Sequence, residues 1–177
     1  MTRYAAFLRG INVGGHVTVP MADLKKAFEE LGFEKVKTLL NSGNVVFDAD
    51  ADASDLGVRI EGKLAQAFNR HIGVLLRGVD ELKELSDRKP FKGIEVTKQT
   101  RLYVTFLPPR PRSSEPPKIE SPGYGFEITR VSQREICSVL TLQEDGQSLK
   151  LMASLEKQAG RDITTRNWNT IERVLKA

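Results

Sequence analysis

Apolar positions along this chain change period several times, and the order of those changes predicts the fold. Residues 4–9 form a short apolar and aromatic run closed by Gly10, as a strand does. From there Met21, Leu24, Ala27, Phe28 and Leu31 recur at helical spacing, with Pro20 suited to the first turn and Gly32 to the C-terminal cap. Residues 36–40 and 45–48 are two short strands. Between them lie Asn41, Ser42, Gly43 and Asn44, residue types that tolerate the positive φ of a tight turn, so the strands should pair as a hairpin. Leu56, Ile60, Leu64, Ala67 and Phe68 trace a second amphipathic helix, capped among Asp52, Ser54 and Asp55. Residues 74–77 close the unit as a fourth strand.

This order, βαββαβ, is the split unit of ferredoxin-like folds. Right-handed crossovers then bring three connections to one end of the sheet, at residues 10–20, 41–44 and 69–73. The first strand is apolar on both sides, with Tyr4, Ala6 and Leu8 on one face and Ala5 and Phe7 on the other. A two-layer sandwich would leave one of those faces wet, so the second half is expected to cover it. That half reads as a helix over 80–88, a strand over 101–107 and two strands near 126–131 and 135–142. Two helices follow, marked by Leu151, Met152, Leu155 and Ala159 and by Trp168, Ile171 and Val174. The expected architecture is α+β: a ferredoxin-like subdomain over 1–78 packed against a second, smaller α+β subdomain over 79–177. Residues 107–122 hold six of the eight prolines, which predicts an extended connector. Pro108, Pro109, Arg110 and Pro111 match the spacing of groove-docking peptides only weakly, and a stiff spacer is the favoured reading.

With 177 residues, 40% apolar and 28% charged, the chain can bury a core and is neither disordered nor fibrous. No window approaches the roughly 18 uninterrupted apolar residues of a membrane span, so neither an anchor nor a signal peptide is expected. The single cysteine, Cys137, can make no internal disulfide, which makes the cytoplasm the expected compartment. Net charge is +4, and its placement is uneven: residues 1–89 carry 13 basic and 13 acidic side chains, residues 90–177 carry 14 and 10. Such a bias suits an anionic partner but falls far below the density of a dedicated nucleic-acid binder.

Candidate chemistry gathers at the loop end of the first strand. The segment 9–16 follows a strand and precedes a helix, and its glycines let backbone N–H groups approach an anion. It fails as a phosphate loop because His16 and Val17 stand where lysine and a hydroxyl residue are needed, and its glycine spacing fails the dinucleotide pattern as well. What remains is an anion-accepting edge built from Arg9, Asn12, Gly14, Gly15, His16, Asn41, Ser42 and Asn44, with Arg70 and His71 nearby. Such donors suit a phosphate or a carboxylate. Ser42 beside a histidine lacks an acidic orienter, so no catalytic residue is assigned. Cys137 has apolar neighbours and reads as a small buried hydrophobe. The carboxylates show no metal-ligand spacing, and neither a metal nor a cofactor is expected. In the segment 164–170, Thr165 is placed to cap the last helix, whose polar side would carry Arg166, Asn169 and Arg173 toward phosphate. Arg166 and Asn167 join the candidate ligand contacts on that basis.

Three passages taken together are distinctive. They are residues 8–15 with Pro20 and Met21, residues 42–47 (Ser-Gly-Asn-Val-Val-Phe), and residues 165–170 (Thr-Arg-Asn-Trp-Asn-Thr). In this order they resemble the signature segments of a bacterial family, domain of unknown function 1697. The resemblance implies a two-subdomain α+β fold of ferredoxin-like character and implies no activity. The leading functional expectation is therefore a protein that binds a small anionic ligand at the glycine-rich edge, with the reaction unassigned. Below it rank a nucleic-acid-binding module and a partner-binding module using the proline segment. No membrane association is expected, and the oligomeric state is left open.

Overall fold

The computed structural model describes residues 1–12, 18–110, 115–123 and 125–177. It is a mixed α+β structure with two four-stranded antiparallel sheets and five helices among those residues. Two compact units divide the chain. The first comprises Met1–Glu84 and Thr170–Ala177, the second Leu85–Asn169.

In the first unit, β1 (Thr2–Leu8), α1 (Met21–Glu29), β2 (Glu34–Leu39), β3 (Asn44–Ala49), α2 (Ala53–Phe68) and β4 (Val74–Gly78) follow the order expected from the pattern of periods. The sheet order is β2-β3-β1-β4. Alternation sends Tyr4, Ala6 and Leu8 of β1 into a core with Leu24 and Phe28 of α1 and Leu56, Ile60 and Leu64 of α2. Phe47 lies at its centre, with ring centroids 4.6 Å from Phe33, 5.3 Å from Phe28 and 5.9 Å from Tyr4. Each such fully buried side chain contributes about 1.5–3 kcal/mol. Ala5 and Phe7, on the opposite face of β1, are buried too, so neither face of that strand is wet.

At the far edge of this sheet a bulge between Glu34 and Lys37 interrupts the β2–β3 register, and Lys35 takes φ 48°. The Lys35 ammonium meets Asp48 Oδ2 at 2.9 Å, and Arg3 Nη1 donates to Asp48 Oδ1 at 2.6 Å. The Lys35 hydrogen bond, then Arg3, holds the Asp48 carboxyl below its ordinary value against the opposing cost of burial. Because the folded pKa is depressed, the stabilisation is present above the ordinary aspartate range and is lost as pH falls through the folded value. Asp48→Asn should therefore cost about 1 kcal/mol at neutral pH, the scale of a partly exposed ion pair. Urea titrations should show this gap closing in acid; a gap that stays constant down to strongly acidic pH would contradict the assignment.

The second unit is built on β5 (Thr100–Phe106), β6 (Phe126–Val131), β7 (Glu135–Thr141) and β8 (Thr164–Asn167), in the order β6-β7-β5-β8. Helix α4 (Gln147–Ala159) packs Leu151 and Leu155 against Tyr103, Leu107, Ile136 and Leu140. Helix α3 (Val79–Asp87) precedes β5 and α5 (Trp168–Leu175) follows β8, and residues 79–84 and 170–175 of these helices belong to the first unit. Strand β8 corrects the expectation that Thr165 caps the last helix. Thr164 and Thr165 pair instead with Phe106 and Thr105 of β5, and the Thr165 hydroxyl bonds Thr105 Oγ1 at 2.8 Å. β-branched residues beside an open strand edge gain a ladder that a cap does not offer.

The described part of the proline-rich segment has no regular secondary structure, as expected. Its far end is held to α4. The Gln158 amide accepts from Glu120 N at 2.8 Å and donates to Glu120 O at 3.0 Å, while Ile119 packs against the core of this unit.

Candidate functional site

The loop end of β1 is tied to its neighbours by backbone hydrogen bonds. Leu8 N donates to Gly43 O and Arg9 N to Gly73 O, each at 2.9 Å. The strand end thus joins the hairpin turn on one side and the connection into β4 on the other, as the topology requires. Gly43 fills a position that admits little else. Its φ is +77°, and a Cβ there would lie 2.5 Å from Ile11 Cδ1 and 2.9 Å from Leu8 Cβ. Gly73 is the seat of Arg9: a Cβ on it would come within 3.0 Å of Arg9 Nη1 and 3.3 Å of Arg9 Cδ. The Arg9 side chain therefore passes directly over Gly73 and is half-buried.

Asn12 is the tie that organises this edge. In the left-handed region at φ 53°, it accepts from Val19 N through Oδ1 at 2.8 Å and donates through Nδ2 to Val19 O at 3.1 Å and to Asn41 O at 2.6 Å. One side-chain amide thereby pairs both polar groups of Val19, as a backbone neighbour in a ladder would, and links them to the hairpin turn. Asn44 is inward-facing: fully buried, it donates to Leu39 O at 2.9 Å and Ser42 Oγ at 3.0 Å. Asn41 is exposed and Ser42 half-exposed at the turn, and Arg70 and His71 are exposed on the next connection. Gly14, Gly15 and His16 lie outside the described residues.

Arg166 and Asn167 belong to β8 of the second unit, opposite Val104 and Tyr103 of β5. Arg166 is not part of an exposed helical strip. It is buried, and Nη1 donates to Thr164 Oγ1 at 2.9 Å and to Thr165 O at 3.0 Å. Burial pushes its guanidinium down to about 10, which leaves it charged at neutral pH. Asn167 is exposed. Cys137 is buried as expected, its thiol pushed up to about 12 chiefly by desolvation, with Glu135 adding to the effect.

Two participants escaped the sequence reading. Gly73 matters only because Arg9 folds over it, a relation between distant residues with no local signal. Glu61 of α2 accepts from Val74 N at 2.9 Å and so fixes the start of β4, yet a helix-surface glutamate carries no mark of that role. Among the described residues no group of three metal-ligating side chains converges, and no helix is long and apolar enough to cross a membrane.

Comparison with known proteins bears on family and fold. A family model described as protein of unknown function (DUF1697) matches residues 1–136. No curated protein matches the chain. Among solved structures, the conserved bacterial protein SP0830 from Streptococcus pneumoniae is similar in fold. It is 22% identical with a TM-score of 0.70, over 99% of this chain and 97% of that one.

Proposed function

The chain belongs to the DUF1697 family of proteins of unknown function, and, as that membership assigns no activity, we propose from the site itself that it binds a small phosphate- or carboxylate-bearing ligand at the loop end of β1. Arg9 is the principal cation of this reading, Gly14, Gly15 and His16 would supply further donors, and Asn12 ties Val19 to the hairpin turn beside it. The observation that carries the proposal is the seating of Arg9 on Gly73 at a strand end that backbone bonds already hold in place. A guanidinium ordered beforehand loses less freedom when it meets an oxyanion, and its fork matches carboxylate and phosphate geometry. The βαββαβ element order and the β2-β3-β1-β4 sheet order support a ferredoxin-like first unit, in which loops of this kind gather at one sheet end. A single cysteine, free and buried, fits a cytoplasmic setting. Recognition of single-stranded nucleic acid on the sheet face is disfavoured. None of the described phenylalanine, tyrosine or tryptophan rings is exposed, and such recognition draws chiefly on rings of that kind on which bases stack.

Thermal unfolding with phosphate, sugar phosphates and small carboxylates tests the reading. A ligand at about 100 times its dissociation constant should add about 2.7 kcal/mol of stability, and Arg9→Ala should abolish that gain. An undiminished shift in Arg9→Ala would place the ligand elsewhere.

A further inference from the structure

The segment between α3 and β5 is long for a connection, and it is ordered by its own turns. Twelve residues, 88–99, carry no regular secondary structure, against a usual connection of about 4–6. Lys89 N donates to Ser86 O and Lys92 N to Lys89 O, both at 3.0 Å, and Ile94 N donates to Phe91 O at 3.1 Å. Thr100 Oγ1 accepts from Thr97 N at 2.9 Å and donates to Glu95 O at 3.2 Å. Phe91 anchors the loop edge-on against Trp168, with centroids 5.2 Å apart.

Charge is concentrated on this loop. Residues 88–101 include Arg88, Lys89, Lys92, Lys98 and Arg101 against one acid, Glu95, an excess equal to the net charge of the whole chain. Lys89, Lys92 and Lys98 are exposed, and none forms an ion pair among the described residues. Elsewhere Lys25, Lys26, Lys35, Lys63 and Lys150 each meet a carboxylate, and Lys83, Lys118, Lys157 and Lys176, which do not among the described residues, lie apart along the sequence. Three exposed ammonium groups without a carboxylate partner among the described residues are thus carried on one short ordered loop, a charge that a polyanion would neutralise. The preceding helix has the opposite sign, with Asp80, Glu81, Glu84 and Asp87.

We infer that residues 88–101 are a docking loop for the phosphate backbone of a nucleic-acid duplex, separate from the edge at Arg9. The side-chain chemistry chooses the partner. Protein interfaces are depleted in lysine and enriched in aromatic residues, whereas this loop offers lysine and threonine and keeps its one ring against Trp168. Lysine and threonine contact phosphate oxygens without reading bases, and without an exposed ring for stacking, a duplex suits the loop better than a single strand. Lys89 and Lys98 are nine residues apart, at most about 30 Å along an extended chain, a span that one short duplex covers.

Fluorescence anisotropy with a labelled duplex DNA of about 20 base pairs tests this. Three phosphate contacts predict that affinity falls about 40-fold between about 50 and about 200 mM salt. The variant Lys89→Gln/Lys92→Gln/Lys98→Gln should keep its circular dichroism spectrum, weaken binding at least about tenfold and flatten the salt dependence. Lys25→Gln/Lys26→Gln/Lys83→Gln, with the same change in net charge, should bind as the parent does. Absence of salt-dependent binding, or equal loss in both triple variants, overturns the inference. Displacement of the duplex by poly-glutamate at equal charge would reassign the loop to an acidic protein surface and overturn it as well. None of these outcomes depends on the Arg9 site.

Discussion

Replacing Gly43 by alanine is expected to lower stability by about 3 kcal/mol, the sum of a left-handed backbone penalty and an overpacked core contact. Both terms are visible at the same residue. At φ +77° any L side chain is strained, and the added Cβ would lie 2.9 Å from both Leu8 Cβ and Ile11 Cγ1. Leu8 and Ile11 are each only 1% exposed, so neither can swing into solvent to make room. The hairpin turn must then move away from the end of β1, which breaks the bond from Leu8 N to Gly43 O. For a chain of this size the loss corresponds to a drop of about 6–12 °C in Tm. Gly57→Ala is the matched control. It lies inside α2 with nothing within 4 Å of its Cβ position, so the same chemical change should raise stability by about 0.5–1 kcal/mol. Thermal melts of the two variants should therefore move in opposite directions. A Gly43→Ala protein within about 0.5 kcal/mol of the parent would mean the edge is looser than its contacts require.

Where a local period decides an element, the sequence announces it. The stripe of Leu24, Ala27 and Phe28 forms α1, that of Leu56, Ile60 and Leu64 forms α2, and alternation in β1 separates Tyr4, Ala6 and Leu8 from Ala5 and Phe7. Elements decided by a distant partner stayed hidden. β8 is four residues long and contiguous with the apolar stripe of α5; only the open edge of β5 makes it a strand. The bulge at Lys35 depends likewise on Asp48 across the ladder. At the candidate site, the convergence of three connections followed from topology and is present in the structure, whereas the roles of the side chains did not follow. Asn12 and Asn44 were read as donors to a ligand because amides beside glycines suit an anion. Their described hydrogen bonds go to the chain itself, since short amides near a turn compete for backbone groups. Arg166 looked like a surface cation because Trp168 set the phase of a helix, but that helix begins two residues later and leaves Arg166 in the ladder.

Asn12 provides the sharpest separation between a positioning role and a ligand contact. Asn12→Ala removes three hydrogen bonds, leaves Val19 N without its acceptor and places a β-carbon at φ 53° with no side-chain amide to offset the strain. At about 0.5–1.5 kcal/mol per bond, and with that strain added, the expected loss is about 2–3 kcal/mol. Asn12→Asp is more informative because it keeps the shape. Its carboxylate can still accept from Val19 N, but it faces the carbonyls of Val19 and Asn41 where the amide donated to both. Those two oxygens disfavour the charged form and raise the pKa of the new acid in the folded state. A group whose folded pKa is raised stabilises below its unfolded value and loses that contribution as pH rises through the folded one. The aspartate variant should thus approach the parent in mild acid and fall behind it at neutral pH; for Asp48→Asn the gap closes only in stronger acid, because there it is the parent's own depressed carboxyl that takes up the proton. Denaturant titrations of both variants across that range measure the two slopes directly. Equal stability of Asn12→Asp and the parent at neutral pH would show that the amide does not tie Val19 to the hairpin turn. If the slopes are as expected, loss of anion-induced stabilisation in Asn12→Ala would follow from the broken tie between Val19 and the hairpin turn rather than from a missing contact, whereas Arg9→Ala, which leaves that tie intact, would lose it through the missing guanidinium.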